Sequence, residues 1–369
     1  MGNTIRITFA LGLLASPLTA QDPTQLEQSQ DPTLVDSILG ELEGLQSPAE
    51  YGSQNSFVGV HGFFDLVYRN GENQGSGFDL HHANLLLDVA VSQDTDVRLE
   101  FEWEHGGDSV EADQVYLEYH PGSDNLSILM GRFYAPFGME RHVWYPPASR
   151  TVTRPLAFRE IVPGNWYETG AMVKWHADGD KPLYQIEAAI TNGLGASMAT
   201  DVRDARQSRN NNQNLMISGR AGVNVKSVSG GVSWANGKYD DDSQNSFSYL
   251  GIDLGATWED WELIAEWVTS TVDEPSAPGG SFDRHGWYMQ AFYSLYAEPE
   301  ELGVFGRFDR LDPDNSTRDA DDRSATSVGL RWVPTPRVTF KLEYQKVNFL
   351  AAGPWPGEDL IAIQVVFDF

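Results

Sequence analysis

The chain has 369 residues, with 53 acidic against 25 basic side chains, a formal net charge of −28 and no cysteine. Acidity on this scale is repelled by phosphate backbones and excludes nucleic acid as a partner, while the lack of cysteine excludes a disulfide framework, a thiolate metal site and a cysteine nucleophile. At 41% hydrophobic and 12% aromatic the composition is too apolar for a disordered chain and predicts a folded one.

Residues 1–20, "MGNTIRITFALGLLASPLTA", place Arg6 ahead of an apolar run from Ile7 to Leu14 and close on small residues at Ala20, which reads as a secretory signal. That run is too short to span a bilayer, and no later stretch approaches the ~20 apolar residues a spanning helix needs. Residues 21–50 read as a periplasmic segment. Asp31 can cap, Pro32 fits the first helical position, and Leu34, Val35, Ile38, Leu39, Leu42 and Leu45 recur at helical spacing, so one short amphipathic helix is expected over 31–45. A tether, a packing helix and an oligomerising helix or plug are its open roles.

Residues 51–369 form the main domain, and there the hydrophobic period changes to two. "DVRLEFEWEH" sets Val97, Leu99, Phe101 and Trp103 against Arg98, Glu100, Glu102 and Glu104. "WELIAEW", "RVTFKLEYQ" and the final "LIAIQVVFDF" repeat the alternation. It predicts sixteen strands near 57–69, 78–92, 95–105, 110–120, 125–135, 166–178, 182–192, 212–226, 228–237, 246–259, 261–271, 284–298, 301–311, 324–333, 337–349 and 358–369. Connections alternate between short ("SQDT", "KSVSG", "ED", "EPEE") and long (136–165, 193–211, 237–245, 272–283, 312–323).

Short turns at one end and long loops at the other are the organisation of an outer-membrane barrel. The expected fold is therefore all-β: a closed antiparallel transmembrane β-barrel with short periplasmic turns and long extracellular loops. A soluble sandwich is the rival, but it leaves unexplained the aromatic residues grouped at strand ends. Trp175, Trp258, Trp261 and Trp332 lie by short turns, and Trp103, Trp234, Trp267 and Trp287 by long loops, as two membrane-interface girdles would require. Closure follows from the solvent, since lipid satisfies no backbone N–H or C=O and an open sheet edge is not tolerated there. Sixteen strands leave an aqueous bore.

With apolar side chains turned to lipid, the other set faces the lumen. It includes the acids Glu100, Glu102, Glu104, Glu118, Glu187, Asp253, Glu262, Glu266, Asp309 and Glu343, and the bases Arg98, Lys174, Arg220, Arg307, Arg331 and Lys341. These charges either keep the lumen wet or bias permeation toward cations. Against the acidic background, Arg132, Arg141, Arg150, Arg154 and Arg159 crowd into the Pro-rich connection around 136–165. Such a long loop is often functional. Folded inward, it would form a constriction lined by Arg141, Arg150, Arg154 and Arg159, whose guanidinium forks suit carboxylate or phosphate. Structural pairing with lumen glutamates, or contact with lipopolysaccharide phosphates outside, are the competing readings.

The stretch "GRFYAPFGME", residues 131–140, resembles the strand-end motif Gly-x-Phe-x-x-Pro-Phe-Gly of the phosphate-selective porin O and P family, and "NWYETGAMVKW" resembles its next strand. The terminal Phe369 behind alternating apolar residues resembles the carboxy-terminal assembly signal of bacterial outer-membrane proteins. The family resemblance implies a sixteen-stranded porin, commonly trimeric, with loops narrowing the pore. Its phosphate specificity rests on an arginine ladder and a lysine cluster. With six lysines and an acidic lumen, this chain shares the fold and not that ladder.

Nothing converges on catalysis. His81 and His82 are adjacent on a strand and are expected on opposite faces, so they cannot jointly hold a metal there. His105 with Ser109 reads as a loop coincidence, and "DPDNSTRDADD", residues 312–322, lacks the glycine of a calcium loop. The expected function is a passive porin of a Gram-negative-type outer membrane, without cofactor or metal. Its partners would be membrane lipid, lipopolysaccharide, small hydrophilic solutes or ions, and two further copies in a homotrimer. An oxyanion-selective porin is the nearest alternative; a barrel adhesin or enzyme is the alternative of another class.

Overall fold

The computed structural model describes residues 57–71, 75–122, 125–139, 145–177, 183–204, 207–276, 280–296, 300–314, 321–350 and 358–369. The expected signal segment, the helix over 31–45 and Arg141 lie outside them. Sixteen strands run in chain order: β1 (Phe57–Gly71), β2 (Gly75–Ser92), β3 (Thr95–Glu104), β4 (Ser109–Tyr119), β5 (Leu126–Tyr134), β6 (Tyr167–His176), β7 (Leu183–Thr191) and β8 (Met216–Val225). They continue as β9 (Val228–Lys238), β10 (Ser246–Trp258), β11 (Trp261–Asp273), β12 (Ser281–Tyr296), β13 (Glu301–Asp312), β14 (Arg323–Thr335), β15 (Val338–Phe349) and β16 (Glu358–Asp368). One short helix, α1 (Leu156–Glu160), lies in the β5–β6 connection.

Each strand pairs antiparallel with its sequence neighbours, and β1 pairs with β16 to close the ring. At the seam Gly62 and Phe369 exchange backbone hydrogen bonds of 3.1 and 2.9 Å. No edge is left in the sheet, the condition that lipid imposes. The pleat then assigns every side chain to one of two solvents. Val58, Val60, Phe64 and Leu66 of β1, Ile186 and Ile190 of β7, and Leu250, Ile252 and Leu254 of β10 lie exposed on the outside, while Asp65, Glu100, Asp253, Arg307 and Lys341 are buried inside. Outward aromatics gather at the ends: Trp258 and Trp261 face each other across the β10–β11 turn, and Trp332 stacks on Phe340 at 5.3 Å.

The main difference from the expected water-filled bore is a hydrophobic core inside the barrel. Phe137, Leu156, Phe158, Ile161 and Trp166 of the β5–β6 connection and Leu194 and Val202 of the β7–β8 connection bury against inward residues of β8–β15, among them Met216, Tyr249, Val268, Tyr288 and Leu311. Side chains of this kind contribute about 1.5–3 kcal/mol each on full burial, so the two connections are packed elements and not lumen coils. Helix α1 sits on β12 and β13.

The strand-end motif has a backbone reason. Gly131 takes φ +138°, opposite Tyr116 and Gly170, and a Cβ there would lie 2.2 Å from the Val115 carbonyl oxygen. Gly77, in β2, has nothing within 4 Å of its Cβ position. Gly131→Ala is expected to lower unfolding stability in detergent by about 1–3 kcal/mol through this overpacking, with Gly77→Ala unchanged; denaturant unfolding followed by heat-modifiable electrophoretic mobility reads both.

Candidate functional site

The β5–β6 connection turns into the barrel immediately after β5. Pro136 ends the strand by removing a donor, and Phe137 inserts among aromatic rings, 5.4 Å from Trp166 and 6.0 Å from Tyr249. Gly138 takes φ +66°, a conformation that costs other residues energy. Its N–H donates to Ser233 Oγ at 2.9 Å, and the Met139 N–H donates to Glu266 Oε2 at 2.9 Å. Glu266 also accepts from the Tyr288 hydroxyl at 2.7 Å. Glu168, at the start of β6, accepts from Trp166 Nε1 at 2.8 Å and from the Gly193 N–H at 2.9 Å, joining the two inward connections.

Further along, charged side chains of the wall grip the loop backbone. Glu343 accepts from the N–H groups of Val152 and Thr153 at 2.7 and 2.8 Å and from Thr153 Oγ1 at 2.5 Å. Arg307 donates to the Thr153 carbonyl at 2.5 Å and to Thr151 Oγ1 at 3.0 Å, while its Nε is paired with Asp309 at 2.9 Å. Asp309 in turn accepts from the Leu156 N–H at 2.9 Å at the start of α1. Lys341 donates to the Pro146 carbonyl at 2.6 Å and Ser149 Oγ at 2.5 Å, and Arg331 to the Pro147 carbonyl at 3.0 Å. Arg307 and Asp309 are fully buried. Buried charges persist only when paired and hydrogen-bonded, and here the irregular loop backbone supplies what the wall charges need.

The arginines of the loop divide by environment. Arg150 is buried, with Nε 2.9 Å from Glu262 and Nη1 3.1 Å from Glu301, and its guanidinium lies 4.4 Å from the Phe292 ring centre. Glu301 is shared with Arg331. Burial lowers the Arg150 pKa, and the two carboxylates reverse this and leave it above its ordinary value. Arg154 is half-buried and reaches Gly164, where a Cβ would meet its Nη1 at 3.1 Å. Arg159 is exposed, 3.1 Å from Glu160, and its carbonyl accepts from Arg203 at 2.7 Å. Arg132 sits on β5, within 3.4 Å of Glu111.

The other expected lumen residues pair along the wall. Arg98 binds Asp88 through two nitrogens at 2.8 and 3.3 Å, Arg220 binds Asp253 at 2.6 and 3.1 Å, and Lys174 lies 3.8 Å from Glu118. Glu187 is in register with both Lys174 and Arg220, and Glu104 accepts from Ser109 Oγ at 3.2 Å. Glu100 accepts from Asn84 and Gln114 at 3.2 and 2.6 Å.

Because the loop leans on β9–β15, a small pocket remains between it and the opposite wall. Phe63, His82, Asn84, Glu102, Tyr134 and Tyr167 line the wall side, and Tyr145, Pro146, Phe158, Pro163 and Asn165 line the loop side. Asn165 Nδ2 approaches Glu102 Oε2 at 3.5 Å across it. Behind Glu102, Asp113 accepts from the Tyr167 hydroxyl at 2.5 Å. Sequence reasoning missed Asp113, because the β3–β4 register slips between Glu100 and Phe101 and turns both Asp113 and Gln114 inward. It missed Glu301 as well, read as turn, and Asp65, which stood on the inward parity of "FFDLVY".

The expectation that His81 and His82 point apart is corrected. The β1–β2 register slips at Asp65/Leu66, so His82 pairs with Asp65 while His81 is the extra residue of a bulge. Both turn inward, their ring centres 3.8 Å apart. His105, set aside as a loop coincidence, has Nδ1 3.0 Å from Asp79.

Comparison with known proteins agrees with this architecture. The family described as "Putative beta-barrel porin-2, OmpL-like" matches residues 50–362. An uncharacterized protein of Aquifex aeolicus (strain VF5) is 24% identical over 336 residues, covering 79% of this chain and 76% of that protein. Among solved structures, the anion-selective porin of Comamonas acidovorans superposes with a TM-score of 0.62 at 9% identity, covering 85% of this chain and 100% of that one. OmpT of Vibrio cholerae in its trimer form gives 0.59 at 9% identity, covering 86% and 100%. At such identities the likeness shows the fold alone. The matched family differs from the phosphate-selective O and P family suggested by the strand-end motif, and the coarser assignment holds: the chain belongs to the OmpL-like β-barrel porin-2 family.

Proposed function

We propose that the barrel is a passive diffusion channel for small hydrophilic solutes or ions in the outer membrane of a Gram-negative-type bacterium, without covalent chemistry. Residues 1–20 would serve export and residues 21–50 would remain in the periplasm. One observation carries the reading: the β5–β6 connection lies inside the ring, clamped by Glu343, Arg307 and Lys341, where it would narrow a solute path to the space beside β1–β6. A homotrimer is consistent with the trimer form of the V. cholerae relative.

In this reading the loop arginines have unequal roles. Arg150 holds the loop to Glu262 and Glu301. Arg154 borders the narrow part through Gly164, next to Pro163 and Asn165. Arg159 stands at the end of α1 beside Glu160, and Arg141 belongs to the same loop. The wall across the cavity is acidic, and its partly exposed carboxylates, Glu104 and Glu118 among them, favour cations. We therefore read the channel as weakly cation-preferring. The oxyanion-selective alternative draws on Arg154, Arg159 and Arg203 at the loop.

Three measurements follow in planar bilayers. In a KCl gradient at low salt the reversal potential is expected on the cation side, and Glu104→Gln with Glu118→Gln should move it toward the anion side. The preference should fade between 0.1 and 1 M, as the screening length drops from about 10 to about 3 Å; an anion-side potential in the unaltered protein would favour the alternative reading. Arg150→Ala leaves Glu262 buried without its partner, a loss of about 3–5 kcal/mol, and is expected to give larger, noisier unitary currents and faster proteolysis of the loop. Arg154→Ala with Arg159→Ala should keep the loop protected yet shift selectivity; unchanged current and reversal potential would remove both residues from the constriction.

A further inference from the structure

We infer that the inner wall carries a binding site for a divalent transition-metal ion of the zinc class, with His81, His105 and Asp79 as ligands. The site is created by the β2 bulge. Regular pleating from Asp79 would put Leu80 outside and His81 inside, and then His82 outside. The extra residue instead keeps His82 inside opposite Asp65, and His81 stays inward between Asp79 and His82. His105 reaches the same place from the β3–β4 turn. It takes φ +51°, ahead of Gly106 and Gly107, also at positive φ, and its ring centre comes within 5.3 Å of that of His81.

The donor set suits such an ion. One ligand atom from each of Asp79, His81 and His105 lies within 4.8 Å of the others. His105 Nδ1 is already 3.1 and 3.0 Å from the two Asp79 oxygens. Ligands 2.0–2.1 Å from a tetrahedral ion lie roughly 3.3 Å apart, so small side-chain rotations close the set, and water completes the fourth position. Two imidazoles with one carboxylate select zinc, copper or nickel over magnesium or calcium, which favour all-oxygen sites. Arg69 holds Asp79 Oδ2 at 3.3 Å, which fixes the carboxylate and leaves Oδ1 for the ion. The ligands are partly exposed, His105 by about half of its side chain, so an ion can enter from the lumen.

The surroundings supply support as well as ligands. Asp65, with no exposed surface, accepts from the His82 Nδ1 and N–H at 2.8 and 2.9 Å and from Gln364 Nε2 at 2.6 Å. It lies 3.8 Å from His81 Nδ1. A buried carboxylate behind a histidine fixes the ring and raises its basicity as a ligand. His82, engaged by Asp65, packs its ring edge-on against that of His81 and limits how far His81 can turn.

The test reads binding on the refolded barrel in detergent and does not depend on whether the barrel conducts. Calorimetric titration with zinc chloride alone should show one ion bound per chain, undisturbed by excess magnesium. His81→Gln and His105→Gln should each weaken zinc binding by about tenfold or more, with His120→Gln, beside the β4–β5 turn, unchanged. Heat-modifiable mobility shows that each variant has folded. Absence of zinc binding, equal competition by magnesium, full affinity in both histidine variants, or an equal loss in His120→Gln would overturn the site.

Discussion

A sheet that closes on itself in lipid leaves each side chain two destinations, and most of this molecule follows from that restriction. Backbone groups are satisfied around the ring, so the outer surface can be apolar and every charge on a strand must be settled inside. The interior is then crowded with groups that are costly to bury singly. Arg98 with Asp88, Arg220 with Asp253 and Arg307 with Asp309 settle part of the cost between neighbours. The remaining inward capacity on β9–β15 is met by carbonyls and N–H groups of an irregular loop, whose own backbone needs partners just as much. Loop and wall therefore solve one another's problem.

That exchange accounts for the asymmetry of the lumen. Glu343 of β15 and Arg307 of β13 are spent on Thr151–Thr153, and Glu262 of β11 is spent on Arg150. The carboxylates of β3 and β4 are covered instead by the side chains of Asn84, Gln114, Tyr167 and Asn165. A chain with a large acidic excess thus pairs Arg150 of its positive loop with carboxylates of the wall. For Arg150, local arginine density and electrostatic influence are different quantities, because Glu262 and Glu301 offset its charge.

The strands were legible because period two over ten or more residues is hard to mistake when one side meets lipid. The expected 261–271 and 337–349 lie within a residue or two of the observed Trp261–Asp273 and Val338–Phe349. Less legible was what depends on register. A bulge inserts one residue without altering composition, so "HH" at 81 and 82 read as two opposed side chains although both face inward. Asp113 was hidden by the same device in β4. The path of the loop was equally out of reach: Pro136, Gly138 and the arginines marked an ordered turn, but its partners on β11–β15 lie far away in sequence. The lumen core was invisible for a related reason, since Leu156, Ile161 and Leu194 lie in connections whose short apolar groups show no sustained period.

Those long separations bear on how the molecule comes into being. Lys341 meets Pro146 across 195 residues, and Glu343 meets Val152 across 191. The loop emerges well before the wall that holds it, and the ring around it shuts only when β16 reaches β1. Contacts of such range form late and slowly, because the intervening chain must be ordered first. The loop therefore gains its partners on β11–β15 only as the second half of the sheet forms. Docking of the loop and closure of the ring thus draw on the same late-formed half of the chain.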